Sequence, residues 1–222
     1  MRVLIACEYS GRMREAFKAK GHDVTSVDLL PADDNSPDHI VGDALTVMNS
    51  RQWDLMIAHP PCTYLANSGA RWLWDKIEIG DPCEPDYTYR ENKERWKGMD
   101  EGARFFARLL RGPVPKIAVE NPVMHKHAKA AIAKYLGKPM PKMHFVQPWW
   151  FGHMAFKATG FALKGLPPLQ KPATALVPPK PGTPEHKEWS SRIFGLPPSK
   201  DRWKLRSTTF QGIADACAEA WG

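Results

Sequence analysis

Scarcities narrow this chain first. It has four cysteines, Cys7, Cys62, Cys83 and Cys217, and no two form a Cys-x-x-Cys pair. That spread excludes the usual structural zinc site and the disulfide framework of small secreted domains. No apolar run approaches the roughly 18 residues of a membrane span. The opening Met-Arg-Val-Leu-Ile-Ala-Cys is too short an apolar stretch for a signal peptide. An intracellular protein with reduced thiols, away from membranes, is expected. The strict Gly-x-Gly-x-x-Gly turn of dinucleotide folds is missing, since only Gly11 follows the first apolar run. A pyrophosphate ligand is disfavoured accordingly. Internal repeats are absent. The one metal-like pattern, His125-x-His127, puts its rings two residues apart, and such residues do not share a helix face. No metal is expected.

What is present suits one α/β domain. The chain has 222 residues, 43% of them hydrophobic, enough for a sizeable core. Lys plus Arg is 31 against 24 Asp plus Glu, a formal net charge of +7. That balance suits a polyanionic partner such as nucleic acid, or an ordinary basic surface. Val3–Cys7 reads as a buried strand, Arg12–Lys20 as a helix with Met13, Ala16 and Phe17 inward, and Val24–Val27 as a second strand. This strand–helix–strand unit opens a Rossmann-like sheet with helices on both faces. Ile40–Asp43, Trp53–Ala58, Lys116–Glu120, His144–Gln147 and Gly160–Lys164 read as further strands. Glu101–Leu110, with Ala103, Phe106 and Leu110 inward, Met124–Leu136, and Gly212–Trp221, with Ile213, Cys217, Ala220 and Trp221 on the packed face, read as helices. Residues 63–97 are too long for an ordinary connection and are expected to form a functional loop or lid. Prolines crowd 166–198, where regular structure is not expected. The expected division is a catalytic domain at 1–165, then a proline-rich basic extension at 166–222 whose last helix packs on the same domain.

The chemistry concentrates where strands end. Pro60-Pro61-Cys62 follows the run Leu55–Ile57, and Glu120-Asn121-Pro122 follows Ile117–Val119. The two prolines take Cys62 off its strand toward the rim of the sheet. There it is either a small core residue or a nucleophile able to bond to carbon. Glu120 at the end of an apolar strand suits a proton donor with a raised pKa. Asn121 either orients it or caps the helix that Pro122 begins. Asp28 and Asp43 end successive strands. Each either caps a turn or helix, or grips a ligand: Asp28 a ribose, Asp43 the amino group of a purine on which Tyr9 stacks.

In this order, the turn Tyr9-Ser10-Gly11, then Asp28, Asp43, Pro60-Pro61-Cys62 and Glu120-Asn121 resemble the cytosine-5 DNA methyltransferases. The Cys-Glu-Tyr-Ser-Gly opening is similar to that of compact phage-type members. The resemblance covers roughly the first 165 residues by order of motifs. It implies a methyltransferase sheet with S-adenosylmethionine as cofactor, DNA as partner, and a bacterial or phage-infected cytoplasm. It implies that Tyr9, Ser10, Gly11, Asp28, Leu29, Asp43, Ala44 and Pro60 hold the cofactor. Cys62 then carries the nucleophile, Glu120 and Asn121 engage the base, and Pro61 and Lys157 contact the substrate. Three positions depart from the family: Tyr9 for Phe, Thr63 for Gln after the cysteine, and Pro122 for Val. The family's Gln-x-Arg-x-Arg segment is not intact. Phe151–Lys157 occupies its place, with Lys157 the one cation.

Only about sixty residues follow, where the family carries a large target-recognition region. Short or relaxed sequence recognition is expected. Lys164, Lys171, Lys180, Lys187, Arg192, Lys200, Arg202, Lys204 and Arg206, with Trp189 and Trp203, either track phosphates and stack bases or form an ordinary solvated wrap. Other readings stay open: an amino-methyltransferase on adenine or cytosine, an enzyme acting on free pyrimidine nucleotides, or an inactive DNA-binding relative.

Overall fold

The computed structural model describes residues 1–81, 84–200 and 202–222, with side chains left out at 80–85 and 203. Cys83 and the Trp203 side chain, both singled out above, lie outside the described residues.

The elements run β1 (Arg2–Ala6), α1 (Arg12–Lys18), β2 (Asp23–Asp28), β3 (His39–Val41), α2 (Ala44–Met48) and β4 (Leu55–Ala58). A 3₁₀ segment, Asn67–Leu73, leads to β5 (Trp74–Asp81) and β6 (Glu84–Glu91). Then come α3 (Lys93–Leu110), β7 (Lys116–Asn121), α4 (Lys126–Leu136), β8 (Met143–Val146) and β9 (Thr159–Lys164). The chain closes with α5 (Pro184–Phe194), α6 (Arg202–Ser207) and α7 (Gln211–Trp221).

Seven strands make one sheet in the order β3-β2-β1-β4-β7-β9-β8. The first five are parallel, and β9 runs antiparallel to both β7 and β8. The fold is the Rossmann-like α/β class expected from the sequence. Its strand order reverses beside β1, and ligands of such sheets bind outside the carboxyl ends of the strands at that switch point.

Central parallel strands are covered on both faces, so they read as unbroken apolar runs rather than alternating ones. Val3, Ile5, Leu55, Ile57 and Ala118 pack with Met13 and Phe17 of α1 and Ile213, Cys217 and Trp221 of α7. Leu4, Met56, Ile117 and Val119 pack with Phe106 of α3 and Ile132 of α4 on the other face. Each strand thus alternates between two cores, which assigns every residue at its end to one side.

Several expectations change. Residues 63–97 are not a plain loop: most form the 3₁₀ segment and the antiparallel hairpin β5–β6. Helix α3 starts at Lys93, because Asn92 caps it by accepting from the Arg95 N–H at 3.0 Å. The proline-rich stretch holds a helix, α5, where Thr183 accepts from the His186 N–H and Pro184 takes the first turn. A proline there loses no intrahelical bond. Asn121 is likewise no cap, since it still pairs with Gly160 in the sheet. His125 caps α4 instead, its Nδ1 accepting from the Ala128 N–H at 3.1 Å. Trp189 is buried against Phe156, ring centroids 5.6 Å apart, and is not available to stack on bases.

Candidate active site

The parallel register of β4 on β7 sets Ile57 beside Ala118 and Ala58 beside Val119. One further step brings His59 level with Glu120. Ile57 and Ala118 face the α1/α7 core, so His59 and Glu120, two residues on, emerge on that same side. His59 Nδ1 lies 4.0 Å from Glu120 Oε2, with side chains 11% and 15% exposed. Burial raises the Glu120 carboxyl to about 7, while the Lys157 cation pulls it down. Burial, with Lys157 adding to it, lowers His59 to about 4. At neutral pH the carboxyl is therefore the group poised to hold a proton, and the imidazole is uncharged.

Cys62 opens a tight turn in which the Leu65 and Ala66 N–H groups donate to its carbonyl at 3.0 and 2.9 Å. That turn is stitched to the loop after β7. The Asn67 N–H donates to Val123 O at 2.7 Å and the His125 N–H to Leu65 O at 3.2 Å, with a bridge between Ala66 and Met124. His125 Nε2 closes the set on Tyr64 O at 2.9 Å. The Pro-Pro-Cys loop and the Glu-Asn-Pro loop are thus one hydrogen-bonded unit, not two independent rims. Burial pushes the half-buried Cys62 thiol up, and the Glu120 charge adds to that, whereas Lys157 and Arg206 favour the thiolate. Protonation of Glu120 removes the repulsion, so a proton on the carboxyl eases the one off the sulfur. Pro60 is buried and Pro61 exposed. Asn121 is fully buried on the opposite side of β7 from Glu120, and neither Oδ1 nor Nδ2 has a partner.

Lys157 carries its ammonium to the far end of the chain. Its Nζ donates to Thr208 O at 3.0 Å and Ser207 O at 3.4 Å. Arg12 donates to Thr209 O at 3.0 Å, and Lys204 pairs with Asp33. The segment after α6 is therefore strapped across the first turn. Tyr9 is part of that strap: its hydroxyl lies 3.1 Å from Ser207 Oγ, and Lys204 Nζ sits 5.2 Å from its ring centre. Lys164 is likewise turned inward, donating to Gly112 O and Val114 O, whereas Arg192 pairs with Glu188 one turn away on the exposed face of α5.

Around the end of β1 the backbone turns sharply, with φ of 57° at Cys7 and 75° at Gly11. The positive φ favours glycine at position 11, and a Cβ there would also push aside the ends of the Arg14 and Asp34 side chains, 2.6 and 2.7 Å away. Glu8 is buried, accepts from the Ser10 hydroxyl, and leaves Oε2 without a partner. Burial raises its carboxyl, opposed by the Ser10 hydroxyl, the Arg14 charge and the backbone N–H groups of Arg12 and Met13. Asp28 Oδ1 accepts the Leu30 N–H at 2.9 Å, and burial raises this carboxyl too. Asp43 caps α2, accepting the Thr46 N–H at 2.7 Å. Ala44 is buried in that helix and Leu29 is 76% exposed. The Cys7 thiol is pushed up to about 12 by burial and then by the charges of Asp28 and Asp43. Hydrogen-bond acceptors with unmet capacity thus gather at the ends of β1 and β2. They suit a ligand that carries N–H and O–H donors.

Glu8, His59 and the strapping of 204–209 across the first turn were not singled out from the sequence, where Lys204 and Arg206 stood only among the cations that could track phosphates. The place of His59 beside Glu120 follows from the β4–β7 register, which no local pattern gives. The strap joins residues nearly two hundred positions apart and leaves no local signal. Among the described residues, no three His, Cys, Asp or Glu side chains gather closely enough to hold a metal ion. Nor, among those residues, is any helix long and apolar enough to cross a membrane.

No family model and no curated protein matches the chain. Among solved structures it is similar to a proposed DNA modification methyltransferase encoded within an E. coli prophage, at 14% identity and a TM-score of 0.45, over 73% of this chain and 46% of that one. It is also similar to a mutant of Spodoptera frugiperda DNMT2, at 15% identity and a TM-score of 0.41, over 81% of this chain and 55% of that one. The chain spans about half the length of each. These likenesses are of fold alone, and the fold class stands on the strand order and register above.

Proposed function

We propose that this protein is a DNA methyltransferase that modifies carbon 5 of cytosine through a covalent bond to Cys62. The observation that carries this reading is the coupling of Cys62 to Glu120. Their loops share one hydrogen-bond network, and the two groups lie in one electrostatic field. A thiol next to a protonated carboxyl is the pair needed to activate an electron-poor pyrimidine.

The Cys62 thiolate bonds to carbon 6 of cytosine. Glu120 gives its proton to ring nitrogen 3, which takes up the negative charge and leaves carbon 5 nucleophilic. Bound S-adenosylmethionine supplies an electrophilic methyl group, and Glu8, Asp28 and Asp43 at the strand ends are the residues to hold it, beside Ser10, Gly11 and Pro60. A water molecule then takes the carbon 5 proton, the electron pair of that C–H bond restores the 5,6 double bond as the sulfur–carbon bond breaks and the Cys62 thiolate leaves, and the proton on nitrogen 3 returns to Glu120. Lys157 and Arg206 offset the negative charge of the sulfur throughout. The target base must leave the helical stack for its carbon 6 to reach the half-buried thiol.

DNA is the proposed partner on the chain's net charge of +7 and on this chemistry. Beside the Cys62 turn, Asn67, Trp74, Lys126 and His127 line an open groove of about 640 Å³, a place for the strand to lie. With 166–222 largely strapped to the fold, we expect short or relaxed sequence recognition, to be read by bisulfite mapping of the product. The deciding experiment incubates the protein with labelled S-adenosylmethionine and DNA and analyses the nucleosides. 5-Methylcytosine is expected, 5-fluorocytosine DNA traps an adduct, and Cys62→Ser abolishes both. Labelled N6-methyladenine or N4-methylcytosine refutes the reading in favour of an amino-methyltransferase. Activity on dCMP alone assigns a free-nucleotide substrate.

A further inference from the structure

His59 has no task in the reaction above, yet it is the side chain placed level with Glu120. Its N–H still belongs to the ladder, donating to Ala6 O at 2.9 Å. Its ring is aimed at the carboxyl by the β4–β7 register, and Pro60 immediately behind it is buried. The 4.0 Å gap from Nδ1 to Oε2 is too long for a hydrogen bond, but a small side-chain rotation closes it. The other ring nitrogen, Nε2, is buried without any partner. Buried polar atoms are nearly always paired, so such an atom marks a place completed by something else.

Lys157, from the β8–β9 connection, acts on both members of this pair, and Cys62, from the turn after β4, feels the charge of Glu120. Arg206 of α6 and Arg12 of α1 lie one group further out, acting on Lys157. The Lys157 cation disfavours a further positive charge on the imidazole. His59 therefore keeps a single ring N–H to give.

We propose that His59 is a positioning residue for Glu120: its neutral ring donates Nδ1–H to Oε2 and so turns the proton on Oε1 toward ring nitrogen 3 of the base. This rests on the reading of Glu120 as the proton donor to the base. No bond to His59 forms or breaks, and Nε2 is left as an acceptor for a donor that the substrate brings.

The test has an arm that needs no turnover. In ¹⁵N-histidine-labelled protein, with the signal assigned by its loss in His59→Asn, His59 is expected as the neutral Nδ1–H tautomer from about pH 5 to about pH 8. Its shift steps where Glu120 ionises, and Glu120→Gln removes that step. An Nε2–H tautomer, an imidazolium near neutral pH, or an unchanged step in Glu120→Gln overturns the proposal. In the methylation assay His59→Phe lowers kcat about 100-fold, the cost of an ångström-scale misplacement, with KM for DNA unchanged. The pH limb that reports Glu120 moves upward as a polar neighbour is lost. His59→Asn, whose amide donates from a similar place, recovers part of the rate and moves the limb back. Full kcat with an unmoved limb in a folded His59→Phe overturns the proposal. If the wild type methylates no DNA while the ring signal still follows Glu120, the pair stands and the reaction assigned to it falls.

Discussion

Replacing Glu120 by Gln separates what this carboxyl does for chemistry from what it does to stability. Burial lifts it from 4.5 to about 7. Below about pH 4.5 it is protonated in the folded and unfolded chain alike, and it has no effect on their balance. As pH rises from there to about 7, the unfolded chain releases the proton while the folded chain holds it, so stability falls. Above about 7 the penalty is complete, roughly two and a half decades of proton affinity or about 3 kcal/mol. The attraction of Lys157 already lies within that figure. Glutamine keeps the shape and has no proton to lose. Glu120→Gln is therefore expected to be more stable than the wild type by about 3 kcal/mol at about pH 8, and to show little of that gain near about pH 4.5. For a chain of this size that is about 6–12 °C in Tm. His59 works in the opposite sense, because its lowered value removes stability as pH falls from 6.5 toward about 4. It is present in both proteins and largely cancels in the difference. Paired urea or thermal melts at the two pH values measure the effect. An equal difference at both, or a variant less stable at about pH 8, refutes the claim that Glu120 is buried at the expense of stability. The same variant should lose methyl transfer, so a carboxyl kept against its own stability would be kept for the reaction.

Asp43→Ala should cost about 1 kcal/mol through the lost cap on α2, while Asp43→Asn keeps the cap and the stability. If Asp43 also grips the cofactor, both variants lose thermal stabilisation by S-adenosylhomocysteine, and retention of it in Asp43→Asn limits the residue to capping. Lys157→Met removes the donor to Ser207 O and Thr208 O and should destabilise the fold by about 1–3 kcal/mol. Limited proteolysis would then cut near 200–210 faster than in the wild type, and an unchanged cleavage rate refutes the strap. Cys62→Ser should leave the melting temperature within about 2 °C, since the thiol is half-buried and the swap is small, while the trapped adduct on 5-fluorocytosine DNA disappears.

Much of the sheet was readable because its central strands are continuous apolar runs. Val3–Ala6, Leu55–Ala58 and Ile117–Val119 have no other stable place than between two layers of helices. Helix faces were readable from spacing: Met13, Ala16 and Phe17 are buried together, as are Ala103, Phe106 and Leu110. In α7 the reading was right for Ile213, Cys217 and Trp221 but not for Ala220, which is exposed. The hairpin at 74–91 escaped notice because its alternation is diluted by charge and its pairing is with itself. Helix α5 escaped because prolines on both sides outweighed the Thr183-Pro184 start.

The one-dimensional order of residues determined which groups reach the carboxyl rim of the sheet: strand ends follow from apolar runs and the breakers that stop them. Glu120 and Cys62 are rim residues for that local reason. Which rim residues share one field is a matter of strand order and register, both set by long-range packing. Only the folded chain decides that His59 stands level with Glu120. It also decides that the two motif loops are joined at Ala66 and Met124, and that Lys157 is drawn to Ser207 and Thr208. Such contacts span tens to nearly two hundred residues, and no short-range pattern encodes them.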